Sequence, residues 1–201
     1  MIGGLIRRLR YGAPIVVVSG LPRSGTSMMM RMLAAGGIPV LEDGQRAADV
    51  SNPKGYFEFE AVKALDKGGD LSWLPEARGK AVKIISFLLT HLPERHDYRV
   101  VFMRRDLGEV LASQQAMLER RGEAGAAGDD ARTREVYTAH LAQVRRFLAA
   151  RDCFRTLEID YAAAVKAPAA AAAEVAAFLG RPLDQAAMAR AVDDALYRNR
   201  A

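Results

Sequence analysis

The chain has 201 residues, 50% of them hydrophobic and 26% charged, an ordinary globular composition that suits one domain over residues 1–201 with a full core. Its net charge of +5 fits a ligand bearing several phosphate or sulfate groups, and fits nucleic acid or a membrane surface as well, so charge alone does not choose. The lone cysteine, Cys153, excludes an intrachain disulfide; no apolar run is long enough to span a membrane, and "MIGGLIRRLR" lacks the apolar core and cleavage site of a signal peptide, so a soluble cytoplasmic protein is expected.

The first predicted element is a strand over Ile15–Val18, four apolar residues in a row, too short and too β-branched for a buried helix and suited to a central parallel strand. It breaks at Ser19-Gly20, passes through a Pro/Gly/Ser/Thr turn, and resumes as a helix through Leu33 that "AAGGIP" stops. A glycine-bearing loop that opens a helix gathers unpaired N–H groups and the positive end of the helix dipole around one point, which favours an anion. Phosphate-binding P-loops place a lysine just after the second glycine. Here Thr26 occupies that position, and the cation stands three residues earlier, at Arg23.

Val40–Gly55 is polar and turn-rich, and "GYFEFEAVKAL" leads into a short helix; so long a loop after an anion-binding helix is expected to reach the ligand mouth. Asp66–Lys80 is irregular and holds the only tryptophan, Trp73. Ala81–Ser86 reads as a second buried strand, in which Lys83 must either lie near an exposed end or meet an anion. Arg99–Met103 is a third strand. Asp106 then caps a helix with an apolar stripe through Leu107, Val110, Leu111, Gln114 and Leu118. Glu123–Asp130 is a link, Thr133–Ala150 an amphipathic helix, "CFRTLEIDY" a fourth strand, and Pro168–Leu179 and Leu183–Ala191 two closing helices. The alternation gives an α/β fold of three layers, with a mainly parallel central sheet and helices on both faces. Ligands in such sheets collect at the carboxyl ends of the strands, so the loops after the first three strands are expected to share one crevice.

Arg105 and Ser113, eight residues apart at a strand end and two turns into the next helix, form a second candidate anion site. A helix cap with a surface arginine is the competing reading. The string "GLPRSGTS" after a strand resembles the 5′-phosphosulfate loop of sulfotransferases, P-[RK]-S-G-T-[TS], and "RDLGEVLAS" resembles that family's 3′-phosphate segment. "EIDYAAAVKAP" is similar to the strand-to-helix segment whose tyrosine lies near the nucleotide, with Tyr161 matching and Ala162 in place of the usual acid. For Tyr161 a core or capping role is the other reading.

The resemblance implies a P-loop-like nucleotide-binding fold and 3′-phosphoadenosine-5′-phosphosulfate as donor, with no metal. It assigns Pro22, Arg23, Ser24, Gly25, Thr26, Ser27, Arg105, Ser113 and Tyr161 to the nucleotide, and Arg23 and Lys83 to charge stabilisation. For the general base it implies a glutamate after the P-loop helix. Glu58 stands first, and Glu42 and Glu60 are rivals. His91 in "THLP" resembles a family histidine, but Lys83 lies eight residues before it instead of two. The glycine-rich basic segment that ends many cytosolic members is absent from "LYRNRA", where Arg198 and Arg200 are either substitutes or a solvated tail. His96 and His140 read as surface residues, and no metal-ligand spacing appears. The acceptor is left open among small molecules, carbohydrates and peptides. Tyr56, Phe57, Phe59 and Trp73 belong either to its pocket or to the core. No nucleic acid partner is expected, and the oligomeric state is not legible. Two other readings compete: a non-catalytic phosphonucleotide-binding protein, and a nucleotide kinase with a degenerate P-loop, against which the missing lysine argues.

Overall fold

The computed structural model describes residues 7, 9–44, 57–120, 122 and 130–193. At its centre is β1, Ile15–Gly20, buried at every position because neighbours cover both its faces. It pairs in parallel with β2, Ala81–Lys83, on one side and with β3, Tyr98–Arg104, on the other. β4, Phe154–Asp160, adds to β3, giving a parallel sheet in the order β2-β1-β3-β4.

Period-two alternation along β1 divides the core in two. Ile15 and Val17 join Val82, Val100 and Phe102 on one face. That face is covered by two 3₁₀ helices, Glu60–Lys67 and Ser86–His91, and by α3, Asp130–Ala149, through Val144 and Leu148. Val16 and Val18 face the other way with Val101 and Met103. Over them lie the methionines of α1, Thr26–Ala35, together with α4, Tyr161–Lys166, α5, Pro168–Leu179, and α6, Gln185–Arg190. α2, Leu107–Arg120, follows β3. This is the three-layer α/β architecture expected, with every strand pair parallel. No helix among the described residues is long and apolar enough to cross a membrane.

Several sequence expectations are corrected. The second strand ends at Lys83, not Ser86: β2 is an edge strand with three paired residues, and a 3₁₀ turn from Ser86 drops Leu88 and Leu89 into the core. Tyr161 does not close β4. The Asp160 side chain accepts from the Ala163 N–H at 2.9 Å and caps a short helix whose first residue is Tyr161. Phe59 and Trp73 belong to the core, edge-to-face with ring centres 5.5 Å apart, and Phe57 packs against the opposite cluster. His96 is buried at 3% exposure, and His140 is half-buried, not a surface residue. Tyr56, Arg198, Arg200 and most of the link after α2 lie outside the described residues.

Candidate functional site

The loop from Leu21 to Gly25 joins the carboxyl end of β1 to α1, and its shape depends on two glycines. A Cβ on Gly20 would overlap the Ser24 hydroxyl and the Met103 carbonyl; one on Gly25, at φ 98°, would overlap the Tyr161 ring. Ser24 is buried beneath the loop: its N–H bonds the Leu21 carbonyl at 3.2 Å, and its hydroxyl has no hydrogen-bond partner among the described residues. Gly25 is the N-cap of α1 and offers no side-chain cap, and the first turn holds no acid, so the N–H groups at Thr26 and Ser27 keep their capacity for an anion. Pro22 and Ser27 are half-buried and Thr26 is buried.

Arg23 sits in the left-handed region at φ 69°, a conformation that costs a residue with a Cβ about 1–2 kcal/mol. Contacts to the segment after β3 help hold it. Its Nε donates to Ser113 Oγ at 3.0 Å, and its carbonyl accepts from Arg105 Nη1 at 3.0 Å. The two anchors seen in sequence are thus crossed: the arginine of the first reaches the serine of the second, and the arginine of the second reaches the backbone of the first. Arg105 is also ion-paired through Nε to Glu109 at 2.8 Å, both side chains being buried, and its guanidinium lies 4.6 Å over the Tyr161 ring. Arg104 ends β3 and points elsewhere, to Glu158 and Asp160 on β4.

Burial pushes the Tyr161 phenol above its ordinary range, opposed by the charges of Arg105, Arg31 and Arg23 and reinforced by Glu109. Of these three arginines, Arg105 lies stacked on the ring. Arg31, on α1, has its guanidinium pushed down by burial, with Asp193 and Tyr161 acting the other way. Sequence reading passed over Arg31 and Glu109. A lone arginine in the otherwise apolar "MMMRML" helix was the available signal for the first.

The third cluster is at β2. Lys83, the last strand residue, is 8% exposed at its side chain and places Nζ 3.8 Å from Glu58 Oε1; Lys63 Nζ is 3.5 Å from the other carboxylate oxygen. Glu58 is fixed from behind, since its carbonyl accepts from the Asp43 N–H at 3.3 Å and Asp43 in turn accepts from the Glu60 N–H. Of the rival acids, Glu60 pairs with Lys63 at the surface and Glu42 is exposed. His91 is exposed at the end of its 3₁₀ helix.

Past Lys83, His140 Nε2 lies 2.9 Å from the buried Ser86 hydroxyl, and its ring stacks on Phe87 at 3.9 Å. The Tyr137 ring meets Phe87 edge-on, and its hydroxyl donates to Gln114, the neighbour of Ser113. These polar and aromatic contacts, which no sequence motif marked, tie the segment after β2 to α3 and, through Gln114, to α2.

The sulfotransferase domain model matches residues 13–200. No curated protein matches the chain. With a match that runs from before β1 to beyond α6, over an all-parallel sheet with a P-loop-like strand, loop and helix at its centre, the chain belongs to the sulfotransferase domain family.

Proposed function

We propose that the protein moves a sulfuryl group from 3′-phosphoadenosine-5′-phosphosulfate to a hydroxyl or amine of a small-molecule, carbohydrate or peptide acceptor. The observation that carries this reading is the crossed pair, Arg23 on Ser113 and Arg105 on the Arg23 carbonyl, which holds two cations close together in the segments that follow β1 and β3, beside the N-terminus of α1. A nucleotide charged at both its 5′ and 3′ positions fits such a set.

In this reading the N–H groups at Gly25, Thr26 and Ser27, with Arg23, receive the 5′ end, and Arg105 and Ser113 receive the 3′-phosphate. Tyr161 stacks beneath Arg105 and limits the directions its fork can take. The donor supplies an activated sulfuryl group whose sulfur–oxygen bond to the 5′-phosphate breaks as the bond to the acceptor oxygen or nitrogen forms, the adenosine-3′,5′-bisphosphate leaving. For a loose transition state, positioning and charge neutralisation supply most of the rate. Lys83 provides a buried positive charge near the end of β2, and Glu58 beside it takes the acceptor proton.

The test is transfer of radiolabelled sulfate from the donor to a panel of phenols, sugars and peptides, with calorimetry of adenosine-3′,5′-bisphosphate alongside. Binding of the bisphosphate and a labelled product are expected; absence of nucleotide binding overturns the reading.

A further inference from the structure

We propose that Glu109 is a positioning residue that sets Arg105 and, through Arg105, the backbone of Arg23, so that the two anion seats of the nucleotide site act as one mechanical unit. The inference rests on the nucleotide reading above and adds a residue and a coupling to it.

Glu109 sits on α2 one turn after Arg105, at 6% exposure, and its N–H is held by the Asp106 side chain at 3.1 Å. The carboxylate is therefore set by a capped helix end. It takes the Nε edge of Arg105 at 2.8 Å while the Tyr161 ring takes a face and the Arg23 carbonyl takes Nη1. A guanidinium is planar with its donors in a fixed fork, so fixing Nε and the ring face fixes where Nη1 points. Nη1 points at the carbonyl of the residue whose left-handed backbone shapes the first loop. Ser113, on the same helix as Glu109, closes the circuit by accepting from Arg23 Nε.

A carboxylate buried on the arginine that receives a phosphate has an electrostatic cost, because like charges in a poorly solvated site repel. What it contributes is orientation. Removing the charge while keeping an oxygen that accepts from Nε should preserve the site, and removing the oxygen should loosen both seats together.

The experiment is calorimetry on the full chain with two probes, AMP for the first seat and adenosine-3′,5′-bisphosphate for both, and thermal unfolding as a control. Glu109→Ala is expected to weaken the bisphosphate about ten-fold or more and AMP several-fold, with Glu109→Gln within about three-fold of the unaltered protein for both. Unchanged AMP affinity in folded Glu109→Ala, or Glu109→Gln as weak as Glu109→Ala, overturns the proposal. If Glu109→Ala fails to fold, Glu109→Leu, which keeps side-chain volume but offers no acceptor to Arg105 Nε, decides: both probes weakening together supports the coupling, and loss confined to the bisphosphate overturns it. An unaltered protein that binds neither probe refutes the nucleotide reading instead.

Discussion

Lys83 and Glu58 meet with Nζ and Oε1 3.8 Å apart, although one closes an edge strand and the other lies just before a 3₁₀ helix. The pair brings a buried cation and a carboxylate to one point at the end of β2. Glu58→Gln is expected to lower turnover by about 10²–10⁴-fold with donor affinity nearly unchanged. Steady-state kinetics beside nucleotide calorimetry would check it; equal turnover moves the proton acceptor to another residue.

Lys83→Met tests the other half of that pair. If Lys83 stabilises the leaving oxygen as proposed, its loss should reduce turnover roughly 10²-fold or more. The same kinetics apply, and a change confined to acceptor KM would remove Lys83 from charge stabilisation.

Arg104 and Arg105 are adjacent in sequence and opposite in environment, which makes a paired control. Arg105→Ala should shrink the preference for adenosine-3′,5′-bisphosphate over AMP toward parity. It should also destabilise the fold by a few kcal/mol, because the buried Glu109 carboxylate loses its ion pair with Arg105. Arg104→Ala breaks surface pairs and should cost about 1 kcal/mol or less, with binding intact. Calorimetry and denaturant unfolding of both variants distinguish them.

Gly25→Ala puts a Cβ into the Tyr161 ring at a positive φ. A cost of about 1–3 kcal/mol is expected, and with it a fall in unfolding midpoint of about 2–4 °C per kcal/mol for a chain of this size. Nucleotide affinity should fall in parallel. A variant with the midpoint and affinity of the unaltered protein would show that the loop tolerates a different path past Tyr161.

His96 gives a pH prediction. Its ring is buried, neither nitrogen has a hydrogen-bond partner among the described residues, and burial, aided by Arg78 and Arg95, lowers its pKa below the ordinary value. The unfolded chain then binds the proton more readily than the folded one, so stability falls as pH drops from about 6.5 toward the lowered folded value. Burial also lowers the pKa of His140, which acts in the same direction. His96→Phe should flatten the slope of unfolding free energy between about pH 7 and 5 without abolishing it. An unchanged slope would assign the acid sensitivity elsewhere.

Much of the fold is local and therefore legible. The β-branched run of β1, the glycine turn and the methionine-rich helix each have a short-range cause, and the register of strand, loop and helix follows from them. Apolar Ile84 and Ile85 read alike in a strand and in a turn; what separates them is that β2 pairs with β1 over Ala81–Lys83 and meets the chain at Val40 only through a single bridge at Ala81. Histidines flanked by charges read as solvated, yet His96 is closed in beside Tyr98 and His140 rests on Phe87.

Sequence by itself determined that an arginine-bearing glycine loop opens a helix after a central strand, and that a second arginine and a serine stand eight residues apart further on. Only the tertiary structure decided that these meet by crossing, that Arg105 is buried while Arg104 is not, and that Glu58, among the nearby acids, stands beside Lys83. The physical reason is range. Spacing along a chain fixes which side chains share a helix face or a strand end, but a contact between two loops depends on how parallel strands align, and that alignment is set by core packing summed over the whole sheet.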